Sequence, residues 1–222
     1  MTDTHTPLEA LPIRFDEAAH RYIWELTGEV LAYSVTQICN RKTPAQMKAI
    51  EATRHEWEPR GNTVHAFGEA LLKSYMPRSE PFLKKPSLPD PGPYERWTTP
   101  LLEHRYWNDW ETITTEHRLC DLNRSVGGSL DALGRVNGRL VLLDFKSQSS
   151  IKSSAYDCSA QLGGYVRMLN DHYSLYVQEC RVCWVKPGKT VVSASIEPDT
   201  CLLAFNDCWE RFQALQESEN DW

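Results

Sequence analysis

Residues 128–146, GSLDALGRVNGRLVLLDFK, indicate the fold most directly. Asn137 and Gly138 separate two runs that are rich in Leu and Val. A type I′ turn needs a positive φ at both central residues, and Asn-Gly between two such runs is the strongest short signal for a β-hairpin. We therefore predict an antiparallel hairpin that turns at Asn137 and Gly138.

The turn also fixes which residues face one another. Counting back from it along both strands brings Asp131 opposite Asp144, and facing side chains have Cβ atoms roughly 4.5–5.5 Å apart. Lys146 lies two residues beyond Asp144 and therefore shares its face of the strand. The pattern predicts two carboxylates and one ammonium on one side of the hairpin, partly buried among Leu and Val.

Two facing carboxylates repel each other, so something must offset their charge. Lys146 alone does so in a structural ion-pair cluster. A divalent cation that bridges Asp131 and Asp144 does so more completely, and oxygen ligands suit Mg2+ or Mn2+. Buried charges are seldom left unpaired. We therefore favour the metal site, with the ion-pair cluster as the alternative.

The composition excludes several classes of protein. The chain has 222 residues, 41% of them hydrophobic, and a formal charge of −6, which is typical of a globular protein. Residues 1–7 lack the pattern of a secretion signal, and no apolar run approaches the ~20 residues of a membrane span. We expect a protein of the cytoplasm, bacterial or of a phage-infected host cell, with no membrane partner. The charge excludes a general polycation, but Lys and Arg outnumber Asp and Glu by four to one in residues 135–152, which predicts a local basic groove.

The remaining elements alternate between helices and strands. We predict a hairpin of residues 20–24 and 29–33, followed by capping boxes at 34–37 and 43–46. We predict helices at 43–57, 61–75 and 158–170, an aromatic helical pattern at 94–110, and strands at 175–185 and 190–196. A final helix has apolar side chains on one face, namely Leu202, Phe205, Trp209, Phe212 and Leu215. This order predicts an α/β fold with a mixed central β-sheet flanked by helices. We expect a single domain over 1–222, in which 1–60 holds the first hairpin and helices, 61–200 the core with a Pro-rich arm at 76–100, and 201–222 a helix and acidic tail.

Four motifs resemble a nuclease family. Asp131, followed after 12 residues by Asp144-Phe145-Lys146, resembles the PD-(D/E)XK signature. Its RecB-like exonuclease branch also carries Gly-x-x-x-His, Gly-x-x-Asp and Gln-x-x-x-Tyr, which are matched here at 61–65, 128–131 and 161–165. Phage exonucleases and the mitochondrial genome maintenance exonuclease are similar. The resemblance implies a restriction-endonuclease-like core that hydrolyses phosphodiester bonds.

The resemblance also implies roles for the matched residues. Asp131 would bridge the metal ions, and Asp144 and the backbone carbonyl of Phe145 would complete the primary site. Lys146 would orient or help to deprotonate the attacking water. His65 would bind a second metal through a neutral imidazole. The implied cofactor is one or two ions of Mg2+ or Mn2+.

Further residues have both a functional and a structural interpretation. Glu116 precedes Asp131 by one strand and is a metal ligand or a solvent-facing side chain. Gln161 and Tyr165 lie one helical turn apart and either act on the DNA backbone and the catalytic residues or pack the helix on the sheet. We assign DNA contacts to polar residues near helix starts and strand ends, although capping alone explains the first of them: Ser34, Thr36, Arg41, Arg60 and Lys152.

The seven cysteines require a separate decision. Some relatives, including CRISPR-adaptation nucleases, hold a 4Fe–4S cluster with one early and three late cysteines. Here Cys39 is early, and Cys180, Cys183, Cys201 and Cys208 are late. Cys180 and Cys183 lie in one predicted strand and would point to opposite faces, which does not suit a single cluster. We expect buried free thiols and no 4Fe–4S cluster.

The function that this resemblance implies is metal-dependent exonuclease activity on single- or double-stranded DNA with free ends, in recombination, repair or phage DNA metabolism. A structure-specific or restriction-type endonuclease on the same fold is one alternative. A catalytically idle nucleic-acid-binding module is another. The acidic end, residues 217–222, is either a disordered tail or a docking segment for a recombination or replication protein.

Overall fold

The computed structural model describes residues 8–40, 42–76 and 87–220, with side chains described up to residue 217. The strands are β1 (Ile13–Asp16), β2 (Arg21–Trp24), β3 (Glu29–Val30), β4 (Tyr33–Ser34), β5 (Trp110–Asp121), β6 (Val126–Val136), β7 (Arg139–Ser147), β8 (Glu179–Lys186) and β9 (Lys189–Val192). The helices are α1 (Val35–Cys39), α2 (Pro44–Ala52), α3 (Arg54–Lys73), α4 (Glu95–Leu102), α5 (Ser159–Tyr173) and α6 (Pro198–Asn220). Short 3-10 turns occupy Gly92–Tyr94 and Arg105–Asp109.

The central sheet has the order β4-β6-β7-β8-β9, and β5 also pairs with β6. The pairs β4–β6 and β7–β8 are parallel, whereas β5–β6, β6–β7 and β8–β9 are antiparallel. This arrangement confirms the predicted α/β class with a mixed sheet. A smaller sheet, β1-β2-β3, contains the predicted first hairpin, with β1 as a strand that the sequence did not indicate.

Helices cover both faces of the central sheet. Helices α1, α5 and α6 pack on one face through residues such as Val35, Leu162 and Phe205. Helices α3 and α4 pack on the other face through residues such as Val64 and Leu101. The sheet is therefore the middle of three layers, and its strands are apolar on both sides, as buried parallel pairing requires.

The predicted hairpin forms with the predicted turn. Asn137 and Gly138 both have positive φ, at 50° and 78°, and β6 pairs with β7 from Val136↔Arg139 to Ala132↔Leu143. The paired register ends there, one residue before Asp131. The direct Asp131–Asp144 pairing is therefore not part of the ladder, because β7 leaves β6 at this point and continues along β8.

Several boundaries differ from the predictions. Helix α3 begins at Arg54, well before residue 61, and it contains Pro59. The break from α2 occurs instead at Thr53, where the Ile50 carbonyl accepts hydrogen bonds from the Thr53 Oγ1 and from the Trp57 Nε1. These side chains replace the helical partners that the carbonyl would have had. The predicted helical pattern at 94–110 is divided between α4 and a 3-10 turn.

The two capping boxes are present as predicted. Ser34 caps α1 and exchanges hydrogen bonds with Gln37, and Thr43 caps α2 and exchanges hydrogen bonds with Gln46. Much of the Pro-rich arm, residues 77–86, lies outside the described residues, as do the last two residues of the acidic tail. Within the described ranges, every helix is too short or too polar to cross a membrane.

Candidate active site

The candidate site lies where β7 separates from β6. Asp131 is in the middle of β6, and its Oδ2 accepts a hydrogen bond from the backbone N–H of Phe145 at 2.6 Å. Leu130 and Leu133 both belong to the core beneath α5, whereas Ala132 faces the α3 side. Side chains of a regular strand alternate, so the alternation slips by one residue at Asp131. This irregularity allows the carboxylate to bridge the gap between the two strands.

Strand β5 has a matching irregularity. Thr115 pairs with Ala132 and His117 pairs with Leu130, and Glu116 and Asp131 lie between these pairs without being paired themselves. Glu116 has a φ of 47°, a value that non-glycine residues adopt rarely. Strained backbone of this kind concentrates at functional sites. It brings Glu116 close to Asp131 rather than outward along a regular strand.

Helix α3 supplies the third member of this group. The Nδ1 of His65 lies 3.4 Å from Asp131 Oδ1 and 3.8 Å from Glu116 Oε1. Among the described residues, His65, Glu116 and Asp131 form a group whose ligand atoms all lie within 4.8 Å of one another. The side chains of His65 and Glu116 are 35% and 37% exposed, so the group opens to solvent.

Asp144, Lys146 and Gln161 form the other half of the site. The Lys146 ammonium lies 2.8 Å from Asp144 Oδ2, and it donates to Gln161 Oε1 at 3.1 Å. The Gln161 amide donates to Asp144 Oδ1, also at 3.1 Å. Asp144 is 2% exposed. Helix α5 thus holds the lysine and the carboxylate in one fixed arrangement.

The electrostatics show a shortage of positive charge. Burial raises the pKa of Asp144 to about 6, with a further contribution from Asp131, even though Lys146 opposes it. Burial also raises the pKa of Glu116. The charge of Asp131 raises the pKa of His65 well above its ordinary value. For Asp131 itself burial opposes ionisation, but His65 outweighs it and lowers the pKa.

Lys146 is the cation that the site holds permanently. Burial disfavours its charge, but the carboxylates of Asp144 and Asp131 outweigh burial and hold the pKa of Lys146 above its usual range. Three carboxylates, those of Glu116, Asp131 and Asp144, therefore share one ammonium and one titratable imidazole. A divalent cation fits this set, because its oxygen and imidazole donors are those that such ions bind and its charge is what the site lacks.

Of the other predicted residues, some lie at the charged residues of the site and the others do not contact them. Gln161 contacts the charged residues directly, whereas Tyr165 is 4% exposed and its hydroxyl accepts a hydrogen bond from Gln161 at 3.5 Å. At this burial the Tyr165 side chain supports Gln161 and packs α5 on the sheet, and its contact with the DNA backbone stays a prediction. Ser34 caps α1, while Thr36 and Lys152 are exposed. Arg41 lies outside the described residues.

Arg60 is placed beside the end of β7. Gly61, the next residue, lies against Ser147. The Arg60 guanidinium stands 5.9 Å from the ring centre of Trp97, and its Nε is buried without a hydrogen-bond partner among the described residues. The Arg60 side chain as a whole is only partly buried.

Tyr22 is a neighbour of the site that the sequence analysis did not select. Its ring packs on Gly127, where any Cβ would collide with it, and Tyr165 packs in the same way on Gly128. Consecutive glycines inside a strand mark close approaches, so Gly127 and Gly128 were an available signal. The charges of Glu116 and Asp131 act on the Tyr22 hydroxyl, although burial is the main reason that its pKa rises to about 12.

A second glycine pair, Gly163 and Gly164, lies inside helix α5. Gly163 lies against the backbone of Cys201 at the start of α6, and Gly164 lies against Val35 of α1. Neither the sheet nor a substrate explains these glycines, because the close neighbours are helices. Cys180 and Cys183 belong to cores on opposite faces of the sheet, which confirms their predicted orientation.

No protein-family model and no curated protein matches the chain. Among solved structures, the chain is similar to a protein from Eubacterium rectale that is provisionally named an exonuclease. The TM-score is 0.54 at 12% identity, over 85% of this chain and 81% of that one. A second structure, of a protein named SSO0001, aligns with a TM-score of 0.42 at 15% identity, over 80% of this chain and 74% of that one. At these identities the first likeness establishes a shared fold.

Proposed function

We propose that this protein is a metal-dependent nuclease of the PD-(D/E)XK type that hydrolyses phosphodiester bonds from free ends of DNA. The observation that carries the proposal is the convergence of His65, Glu116 and Asp131 within ligand distance of one another, directly beside the Asp144–Lys146 pair. The resemblance of the four sequence motifs supports the same activity. The shared fold with a provisionally named exonuclease is consistent with it.

The residues of the site would have separate roles in binding the metal and in stabilising the phosphate. His65, Glu116 and Asp131 would hold one Mg2+ or Mn2+, and Asp144 with the Phe145 carbonyl would hold the same ion or a second one. A bound ion of this kind lowers the pKa of a coordinated water and stabilises charge on a phosphate. Gln161 fixes the Lys146 ammonium, which would then face the phosphate as a positive charge.

DNA contacts follow from the placement of the basic and polar side chains. Arg60 is a partly exposed cation near the end of β7, and Lys152 is exposed in the loop after that strand. Ser34 and Thr36 at the start of α1 add polar contacts. With a net charge of −6 the protein would bind DNA locally and in a salt-sensitive way, which suits an enzyme that moves along its substrate.

The biological setting belongs to the proposal as well. We infer action in the cytoplasm of a bacterial or phage-infected cell, during recombination, repair or phage DNA metabolism. The acidic end, 217–222, would then contact a recombination or replication protein, and a 4Fe–4S cluster would not take part.

The experiment is a cleavage assay on end-labelled linear DNA, single- and double-stranded, and on closed circular DNA, with Mg2+, Mn2+ or EDTA. We expect the wild type to degrade linear DNA in either metal, to be inactive in EDTA and to spare the circle. Asp131→Asn should lose activity by at least about a thousandfold, since it removes a shared ligand. Asp199→Asn is the matched control, because Asp199 is an exposed acid at the start of α6.

Three outcomes would contradict this proposal. Undiminished metal-dependent cleavage by purified Asp131→Asn would show that the activity arises elsewhere. Cleavage of the closed circle would favour the endonuclease alternative on the same site. Binding of DNA with no turnover in any metal would favour the idle binding module.

A further inference from the structure

The loop between β7 and α5 presents exposed apolar side chains beside the candidate site. Ile151 is 53% exposed and Tyr156 is 55% exposed. The loop leaves β7 directly after Lys146 and returns to α5 just before Gln161, so both of its ends lie at the site. Single exposed apolar side chains are common on protein surfaces and need no explanation. An exposed aromatic residue next to a nuclease site is different, because it lies where it could contact the substrate.

Hydrogen bonds from neighbouring side chains hold the backbone of this loop in place. The Gln148 Nε2 donates to the Ser154 carbonyl at 2.6 Å, and the Lys186 ammonium donates to the Ser153 carbonyl at 2.5 Å. The Trp97 Nε1 donates to the Gln148 carbonyl at 2.8 Å. Interior side chains thus fix the loop backbone while its apolar side chains remain exposed, so a ligand would meet a preorganised surface.

The position of Tyr156 relative to Lys146 follows from the sheet. Lys146 pairs with Trp184 in the parallel β7–β8 register, so their side chains lie on the same face on adjacent strands, which are about 4.8 Å apart. The Tyr156 ring packs on Trp184 with the ring centres 4.8 Å apart and the planes at 74°. The Tyr156 ring therefore packs on the same face of the sheet as Lys146, against the strand next to it.

We propose that the Tyr156 ring stacks on an unpaired nucleobase of the strand whose phosphate enters the site, so that the substrate is single-stranded where it is cleaved. This inference rests on the proposed function. Aromatic side chains beside basic groups bind single strands in this way, since every base has a π-face, whereas the bases inside a duplex are already stacked. Lys152, in the same loop, adds the positive charge that a strand backbone requires.

The test is DNA binding in EDTA, where no metal-dependent cleavage competes, measured by anisotropy of a labelled oligothymidylate. Tyr156→Ala should weaken binding by roughly tenfold, the size of one aromatic–base stack. Tyr156→Phe should bind as the wild type does. Tyr156→Leu keeps an apolar contact with Trp184 but lacks a π-face, and it should show the loss without loss of thermal stability.

An abasic strand of the same length separates stacking from other contacts. On it, Tyr156→Ala and the wild type should bind equally, because the partner of the ring is already absent. Tyr176→Ala is the matched control: Tyr176 is 73% exposed but precedes β8 at the opposite end of the sheet, so its loss should change nothing.

The inference is overturned if Tyr156→Ala leaves oligothymidylate binding unchanged, if it weakens the abasic strand equally, or if a blunt duplex loses as much affinity as the single strand. The nuclease proposal fails separately. Stacking that is observed without any cleavage in Mg2+ or Mn2+ would remove the nuclease activity and leave the binding mode standing.

Discussion

Two clusters of carboxylates in this protein, each built around a buried aspartate, are neutralised in different ways. At the end of β5, the carboxylate of Asp121 accepts hydrogen bonds from the Arg124 backbone N–H at 3.1 Å and the Arg167 Nε at 3.0 Å. Asp171 pairs with Arg167 from the other side at 3.6 Å. This Asp121 cluster holds two acids and two arginines, so its formal charge is balanced within the protein.

The candidate site lacks this balance. Its three carboxylates, on Glu116, Asp131 and Asp144, face the Lys146 ammonium and, when it is protonated, the His65 imidazolium, so one negative charge is left over. Burial is the main reason that the pKa values of Glu116 and Asp144 rise, and the charge of Asp131 raises both further. The Asp121 cluster shows what a structural ion-pair network of this chain looks like, and the difference between the two clusters supports the proposal that the candidate site binds a divalent cation.

The largest expected contrast is in stability without metal. Asp121→Asn leaves Arg124 and Arg167 with a neutral partner in a mostly buried position, and it should lower the free energy of unfolding by about 3 kcal/mol. Glu116→Gln removes a charge from an overcrowded group and should change it by less than about 0.5 kcal/mol, in either direction. Urea denaturation in EDTA measures both.

If Asp121→Asn and Glu116→Gln lowered the free energy of unfolding equally, the two clusters would not differ in how their charges are balanced. The circular dichroism spectrum and the dependence of the unfolding free energy on urea should match the wild type in both variants, so that the comparison is between two-state transitions.

The next contrast is in pH dependence. The ordinary pKa of an Asp is 3.8, and burial raises that of Asp144 to about 6 in the folded protein. The folded state therefore holds this proton more tightly, and the stability linked to it is present below pH 4 and lost as pH rises through about 6. Relative to Asp144→Asn, the metal-free wild type should lose about 2 kcal/mol of unfolding free energy between pH 4 and pH 7.5.

Urea denaturation of both proteins at several pH values checks this expectation. Saturating Mn2+ at pH 7.5 should instead raise the unfolding free energy of the wild type relative to that of Asp144→Asn, because the metal stabilises the ionised carboxylate of the wild type. A stability difference that does not change with pH would show that Asp144 is already balanced by Lys146.

Local patterns were sufficient to predict the fold class. Asn137-Gly138 set the hairpin turn, and strand alternation placed Cys180 and Cys183 on opposite faces, because both depend on near neighbours in the chain. The start of α3 was missed because it depends on Thr53 and Trp57, whose side chains donate hydrogen bonds to the Ile50 carbonyl. Such side-chain competition is not visible in hydrophobic periodicity.

The site was predictable in composition but not in detail. The register indicated that Asp131, Asp144 and Lys146 lie together, and the family resemblance added His65. The slip in alternation at Asp131 and the left-handed φ of Glu116 arise from strand divergence in three dimensions, which no sequence spacing encodes. The same divergence replaces the expected Asp131–Asp144 pairing with the Phe145 hydrogen bond.

The most direct test of the central claim is a calorimetric titration of the metal-free protein with Mn2+ at pH 7.5. We expect saturable binding by the wild type and by Asp121→Asn, and an affinity at least about tenfold weaker for Asp131→Asn, which loses a charged ligand. Equal binding by Asp131→Asn, or no binding by the wild type, would contradict the claim that this cluster of carboxylates is a metal site.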